Sequence, residues 1–369
     1  MMRMKKRARS ALLFIGSPKV TVAGLLLLAA LVVWGTIFQA GTGLYQAQVR
    51  IFQSWFFLAG GLLPMPGVLT AGAVVFVNLL AATLFRLRYH WSQAGLILIH
   101  YGLLLLLAGG FLTLRLSRES YLTLAEGESS NLSSAAHDWE VAVWANGGGK
   151  KVAAADMNRL RRGRPLRLEP FGIELVAGSY LPNCVPSEKE GSEHPSLREK
   201  PVSEEPSDNI PGGRFLVRSD RSQRREIVLF GGDASPRTVE LGGTAYFFSL
   251  RLRRFLLPAT IKLIDFRKTL YPGSDIARSY ESRVEIEQGP IRRAAVISMN
   301  KPLRLREYTF YQSSYSQGPG GGESSTLAVV RNSGRRLPYL ATILIFIGLV
   351  FHFLLMLVSR SGKKSEMGA

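Results

Sequence analysis

Ala94-Gly95-Leu96-Ile97-Leu98-Ile99-His100-Tyr101-Gly102-Leu103-Leu104-Leu105-Leu106-Leu107-Ala108-Gly109-Gly110-Phe111-Leu112-Thr113-Leu114 holds no charged side chain other than a titratable histidine, and it stops at Arg115. A helix needs roughly 20 apolar residues to cross the hydrocarbon of a bilayer, so 94–114 predicts a membrane span. Comparable runs lie on both sides of it, at 20–38, 63–85 and 338–358. The second opens on Pro64-Met65-Pro66-Gly67, residues that start helices. The expected fold class is therefore an integral membrane protein with four transmembrane α-helices. A large polar region, 116–337, separates the third from the fourth.

Basic residues set the expected topology, because cytoplasmic loops carry the excess of Lys and Arg. Arg3, Lys5, Lys6, Arg7, Arg9 and Lys19 fill a cytoplasmic N-terminus, 1–19, and Arg86 and Arg88 fill an inner turn. Only Arg50 lies between the first two spans, which puts that segment outside. Region 116–337 then faces outward and the tail, 359–369, inward. A cleaved signal peptide is the alternative for the first run. That run is longer than the roughly 7–15 apolar residues of a signal peptide, and Trp34-Gly35-Thr36 supplies no small-x-small cleavage site.

The outer region reads as all-β and sandwich-like. Runs rich in β-branched and aromatic residues recur at Ile173–Val176, Glu226–Phe230, Tyr246–Leu250, Ile261–Ile264, Val284–Ile286 and Tyr308–Tyr311. Turn residues at Asn146-Gly147-Gly148-Gly149, Gly231-Gly232-Asp233 and Pro272-Gly273 punctuate them. The stretch 186–213 is Glu, Lys, Ser and Pro, and is expected to be a disordered insert. Gly318-Pro319-Gly320-Gly321-Gly322 is a glycine loop without the Lys-Ser/Thr of a phosphate cradle.

The net charge of +19 admits an anionic partner. Its placement beside apolar runs points to membrane and away from nucleic acid. One cysteine, Cys184, excludes an intrachain disulfide, a CxxC pair and a CxxCH haem attachment, and it reads as a structural residue. The outer region holds His137 and His194 and no catalytic set. Within the membrane runs lie His100 and His352. An ionisable group there costs roughly 2–3 kcal/mol or more unless neutral and bonded. Each is either a structural histidine bonded to a neighbouring helix or an axial ligand for haem iron. Counted from the ends of their runs, both fall about 10 Å from the inner boundary. Gly95, Gly102 and Gly109 form one packing stripe, and His100 lies far round the helix from it.

Pro272-Gly273-Ser274-Asp275, Tyr280-Glu281-Ser282-Arg283-Val284, Met299-Asn300-Lys301-Pro302-Leu303-Arg304 and Tyr308-Thr309-Phe310-Tyr311-Gln312-Ser313-Ser314-Tyr315 carry a resemblance to the ResB family, also called CcsB, of cytochrome c biogenesis proteins. Gly35-Thr36, and His100 followed by Gly102, match as well. The resemblance implies a multi-pass protein of the cytoplasmic (inner) membrane that pairs with a ResC/CcsA-type membrane protein. Together they would deliver haem b and join it to apocytochrome c. It implies a non-autonomous subunit of a holocytochrome c synthase, or haem lyase, with no catalytic residue of its own. His100 matches the family's transmembrane haem ligand, and His352 is a further candidate. The other reading is a non-enzymatic membrane-anchored scaffold or sensor.

Overall fold

Each of the four long apolar runs supplies one long helix of the fold. The computed structural model describes residues 6–146, 151–160, 165–187, 196–219, 224–274, 276–317 and 322–366. Gly147-Gly148-Gly149, His194, Asp275 and residues 318–321 of the glycine loop lie outside them. The helices are α1 Lys6–Ile15, α2 Pro18–Thr42, α3 Leu44–Ala47, α4 Val68–Phe85, α5 Ala94–Leu116, α6 Met157–Leu160 and α7 Leu337–Glu366. Of these, α2, α4, α5 and α7 are long and apolar enough to cross a membrane. The chain divides into two units, Met1–Ser117 with Asn332–Ala369, and Arg118–Arg331.

In the helical unit, Lys6–Ile15 forms a helix of its own, α1. Gly16 and Ser17 break it: Ser17 caps α2 by accepting from Val20 N, and Pro18 follows at the first helical position. The second span starts later than the apolar run suggests. Leu63–Pro66 is a strand (β2) paired with Phe56–Ala59 (β1), and α4 begins only at Val68. Proline explains this, because Pro64 and Pro66 push the residues before them into extended conformations. The carbonyls of Ser54 and Trp55 then take up the open N-terminus of α4, accepting from Leu69 N at 3.3 Å and Gly67 N at 2.7 Å.

The second unit is all-β. Its strands are β3 Arg118–Ala125, β4 Ser129–Ala145, β5 Ala153–Asp156, β6 Leu166–Leu168, β7 Ile173–Leu181, β8 Cys184–Ser187, β9 Ser196–Glu199, β10 Gly212–Ser219, β11 Arg224–Phe230, β12 Arg237–Leu241, β13 Thr244–Leu270, β14 Ala277–Gln288, β15 Ile291–Ser298, β16 Leu303–Leu305, β17 Tyr308–Gln317 and β18 Glu323–Arg331. The main sheet runs β15-β14-β13-β4-β3-β18-β17-β16, antiparallel throughout, with β12 and β5 at its side. A smaller sheet, β11-β10-β7-β6, shares a core with one end of it.

Two separate cores result. The first holds Val141, Val143, Leu175, Phe215, Leu229 and Phe248; the second holds Leu122, Leu263, Val284, Phe310 and Leu327. One strand serves both. On β13, Phe248 and Leu250 point into the first core, whereas Leu257, Ala259, Ile261 and Leu263 point into the second. The inward positions change from even to odd numbers between them. Pleat alternation allows that only across an irregularity, and the β4 register shifts at Leu252/Arg254 and again at Leu256/Ile261. The runs 246–250 and 261–264, read as two strands, are thus one strand of 27 residues.

The described part of 186–213 is not disordered. β8 pairs with β9, and buried Asn183 donates to Pro201 O at 2.7 Å while its Oδ1 accepts from Ile210 N. Asn209 donates to Ser203 O and accepts from Ser203 N at 2.8 Å. The composition argument considered only apolar burial. Here side-chain amides replace the missing backbone partners, as short polar residues do in turns.

Candidate functional site

The glycine stripe of α5 lies on α7. A Cβ on Gly102 would come within 3.1 Å of Ala341 O, and one on Gly109 within 2.9 Å of Leu337 Cβ. One on Gly95 would run into the backbone of His352 and reach 2.7 Å from Gly348 O. Gly348 answers from the other side, facing Gly95 O and Ile99 N. Bilayer helices associate by close packing because lipid removes the hydrophobic drive between them. This seam of small residues therefore holds the pair together.

His100 is five residues beyond Gly95, about 140° further round the helix at 100° per residue. Its imidazole belongs to a face turned away from the α7 seam. His100 Nδ1 is 2.9 Å from Leu96 O, one turn back. A carbonyl oxygen can only accept, so Nδ1 carries the proton and donates. Nε2 is then the lone-pair nitrogen, and among the described residues no group bonds to it. A ring whose one nitrogen is tied to a carbonyl, with the other bare, is the arrangement of a metal-ligating histidine. The residue type and tautomer fit a haem axial ligand.

His352 stands differently. Its backbone is pressed against Gly95, its ring lies 6.0 Å from that of Phe353, and its Nδ1 is buried with no hydrogen-bond partner. It sits opposite Gly95, so the two histidines differ in depth by roughly one helical turn, about 6–7.5 Å. The count from run ends had placed them at one level. It erred because the two apolar runs do not end at one level: the α5 run starts beside His352, whereas the α7 run goes on to Val358. With His100 on one face of α5 and His352 against another, the structure does not assemble a pair of imidazoles.

A buried polar residue in this unit escaped the sequence reading. Asn78, 1% exposed, interrupts the apolar run of α4. Its amide nitrogen donates to Ile15 O and to Ser17 O (3.1 Å), and its Oδ1 accepts from Thr21 at 2.7 Å. Asn78 thereby satisfies the Ile15 carbonyl where α1 breaks into α2, and adds to the helical bonds that Ser17 O already accepts from Val20 N and Thr21 N. A polar residue inside an apolar run was the available signal.

In the β unit the strings that carry the resemblance come together in the second core. Ser282 (fully buried) donates to Gln312 Oε1 at 2.7 Å and bonds Ser325, while Gln312 Nε2 donates to Ser325 at 3.0 Å and to Ser314 O. Phe266, Tyr280 and Tyr315 stack beside this network with centroids 5.2–6.3 Å apart, and Lys268 donates to the Tyr315 hydroxyl at 2.9 Å. β17 bulges between Gln312 and Ser314, which turns the Gln312 amide inward. The motif thus builds a polar network whose inner end, Ser282 and Ser325, is buried. Cys184 is buried, and burial pushes its thiol up to about 11, which suits a structural thiol and not a nucleophile.

Comparison with known proteins bears on this arrangement. The chain is similar to Protein NrfI of Wolinella succinogenes, 24% identical over 293 residues, which cover 76% of this chain and 29% of that protein. The chain thus spans under a third of the relative's length. Residues 238–336 match the ResB-like family. That stretch runs from β12 through β18 and contains the Ser282–Gln312–Ser325 network and the tyrosine stack. The likeness to the ResB-like family thus rests on this part of the β unit, and the similarity to the relative extends over a longer span of the chain.

Proposed function

We propose that this chain serves cytochrome c biogenesis as the haem-handling subunit of a membrane-bound cytochrome c synthase. In this reading the β unit lies on the outer face of the cytoplasmic membrane. The partner is a ResC/CcsA-type membrane protein, and the client is apocytochrome c. The observation that carries the reading is His100: an intramembrane imidazole in a chain with this family likeness, with Nδ1 tied to Leu96 O and Nε2 bare. Haem, when bound, would supply the iron for that nitrogen and the vinyl groups that the client's thiols attack. The protein's part is positional. Leu96 O holds the ring in one tautomer, and the glycine seam holds α5 rigid behind it. The β unit would present the client to the partner chain. Cys184, buried and protonated, takes no part in thioether formation. Because His352 packs against the seam, any second protein group holding the haem iron would come from the partner.

The test is haem content and visible spectrum of the chain purified with its partner. His100→Ala should lose bound haem and cytochrome c maturation at near-normal protein levels. His100→Gly with added imidazole should regain part of both, since free imidazole fills the vacated position. His352→Ala should keep its haem. Unchanged haem and spectrum in His100→Ala would reject the ligand role and favour a scaffold or sensor.

A further inference from the structure

The helical unit has almost no negative charge of its own. From Met1 to Ser117 there is no Asp or Glu, and after Arg331 only Glu366. Each cation in this unit is therefore neutralised from outside it or by solvent. For most of them, the solvated flanks of helices are explanation enough. Arg50 is different. It is the only charged residue between the end of α2 at Thr42 and the start of α4 at Val68, and it lines a cavity of about 550 Å³ whose other walls are mostly apolar.

Four aromatic rings shape that cavity: Trp34 and Phe38 from α2, and Phe56 and Phe57 from β1. The backbone sets it up. A Cβ on Gly35 would collide with the ring of Phe52, so glycine there lets the segment after α3 fold back onto α2, which carries Arg50 to the cavity wall. The hairpin that closes the other side leaves its apolar side chains in the open, with Phe56 68% and Leu62 89% exposed. Trp34 and Trp55 are also about half exposed. Indole rings beside an apolar hairpin, at the ends of two spanning helices, mark the level where hydrocarbon meets headgroups.

We infer that this cavity is a binding site for one anionic phospholipid, its acyl chain among Trp34, Phe38, Phe56 and Phe57 and its phosphate on the Arg50 guanidinium. The guanidinium fork matches two phosphate oxygens at once. Charge selects the headgroup. An ethanolamine or choline head would bring its own ammonium beside Arg50, and among the described residues the cavity lining holds no carboxylate to receive it. A glycerol head adds hydroxyls and no cation.

The probe is the full chain, purified and stripped of lipid, then exchanged into mixed micelles with equal phosphatidylglycerol and phosphatidylethanolamine, with retained lipid counted by native mass spectrometry. One phosphatidylglycerol should be held in preference to phosphatidylethanolamine by roughly tenfold, the scale of one charged hydrogen-bonded pair. Arg50→Gln should erase the preference while leaving thermal stability unchanged, because the side chain is exposed. Arg50→Lys should keep part of it, and Phe56→Ala should weaken retention of both lipids together. Equal retention of the two lipids by the wild type would overturn the inference. So would a preference that survives Arg50→Gln, which would assign it to the basic residues elsewhere in the chain. Displacement of the lipid by equimolar zinc protoporphyrin would also overturn it, by giving the cavity to a planar dicarboxylate. None of these outcomes depends on His100.

Discussion

Gly348→Ala places one methyl group at the closest approach of α7 to α5. The new carbon would stand 2.9 Å from Gly95 O, 2.9 Å from Ile99 N and 2.9 Å from Leu98 Cβ. Carbon atoms settle at roughly 3.5–4.0 Å from their neighbours, so a gap of at least about 0.5 Å has to open. Two of the three obstructing atoms are main chain, and the third is a Cβ fixed to it, so no rotamer change relieves the clash. The helices must part, and Gly95, Gly102 and Gly109 lose contact along the whole seam. Overpacking of this kind costs about 1–3 kcal/mol. Alanine also favours helix over glycine by about 1 kcal/mol, so the substitution needs a control that shares this gain. Gly110→Ala is that control: it lies within α5, and a Cβ there meets nothing within 4 Å. The propensity gain cancels between the two, and Gly348→Ala should be the less stable variant by about 1–3 kcal/mol. Unfolding by SDS titration in mixed micelles, followed by tryptophan fluorescence, measures the difference. Two variants within about 0.5 kcal/mol of each other would refute the seam.

Phe310→Ala should cost about 3–5 kcal/mol, because the ring is fully buried in the second core. Tyr311→Ala, next to it on the exposed face, should stay within about 0.5 kcal/mol. Denaturation of the full chain followed by near-ultraviolet circular dichroism separates the two, and equal losses would contradict the assigned faces. Cys184 yields a pH dependence. Burial raises its folded pKa to about 11 from an ordinary 9.0, so the folded state holds the proton more tightly than the unfolded chain. Its contribution to stability is present below pH 9 and is lost as pH climbs from about 9 to about 11. Cys184→Ala should flatten that part of the stability curve, and a wild-type curve already flat there would show that the thiol titrates freely.

The four spans were legible because a bilayer imposes a length, and apolar runs of that length have few other uses. Helix ends were less so. Proline moved the start of α4 from 63 to 68, and the polar end of α7 gave no apolar signal to follow. The β character was legible from residue type, but β13 read as two strands for a physical reason. Arg251-Leu252-Arg253-Arg254 looks like a polar break, yet Arg251 is held by buried Glu140 at 3.0 Å and Arg253 by Asp156 at 3.1 Å. Pro258 looks like a breaker too. It stands in the gap of the β4 register between Leu256 and Ile261, where no partner asks for its missing N–H. At the site, the position of His100 could be read and its tautomer could not, because that depends on a carbonyl one turn away. Asn78 was visible as a residue, but its partners exist only once α1 breaks at Gly16.

The continuity of β13 couples the two cores in a way that separate strands would not. A domain with two hydrophobic centres can ordinarily melt one and keep the other. Here the same backbone supplies Phe248 and Leu250 to one centre and Leu257 to Leu263 to the other. Releasing either end frees β4 as well, since β4 is hydrogen-bonded to β13 from Tyr246 to Lys262. Partial opening at one centre therefore removes the template on which the other is laid. The β unit is built to fold as one cooperative body, and a load applied at one end of the strand is felt at the other.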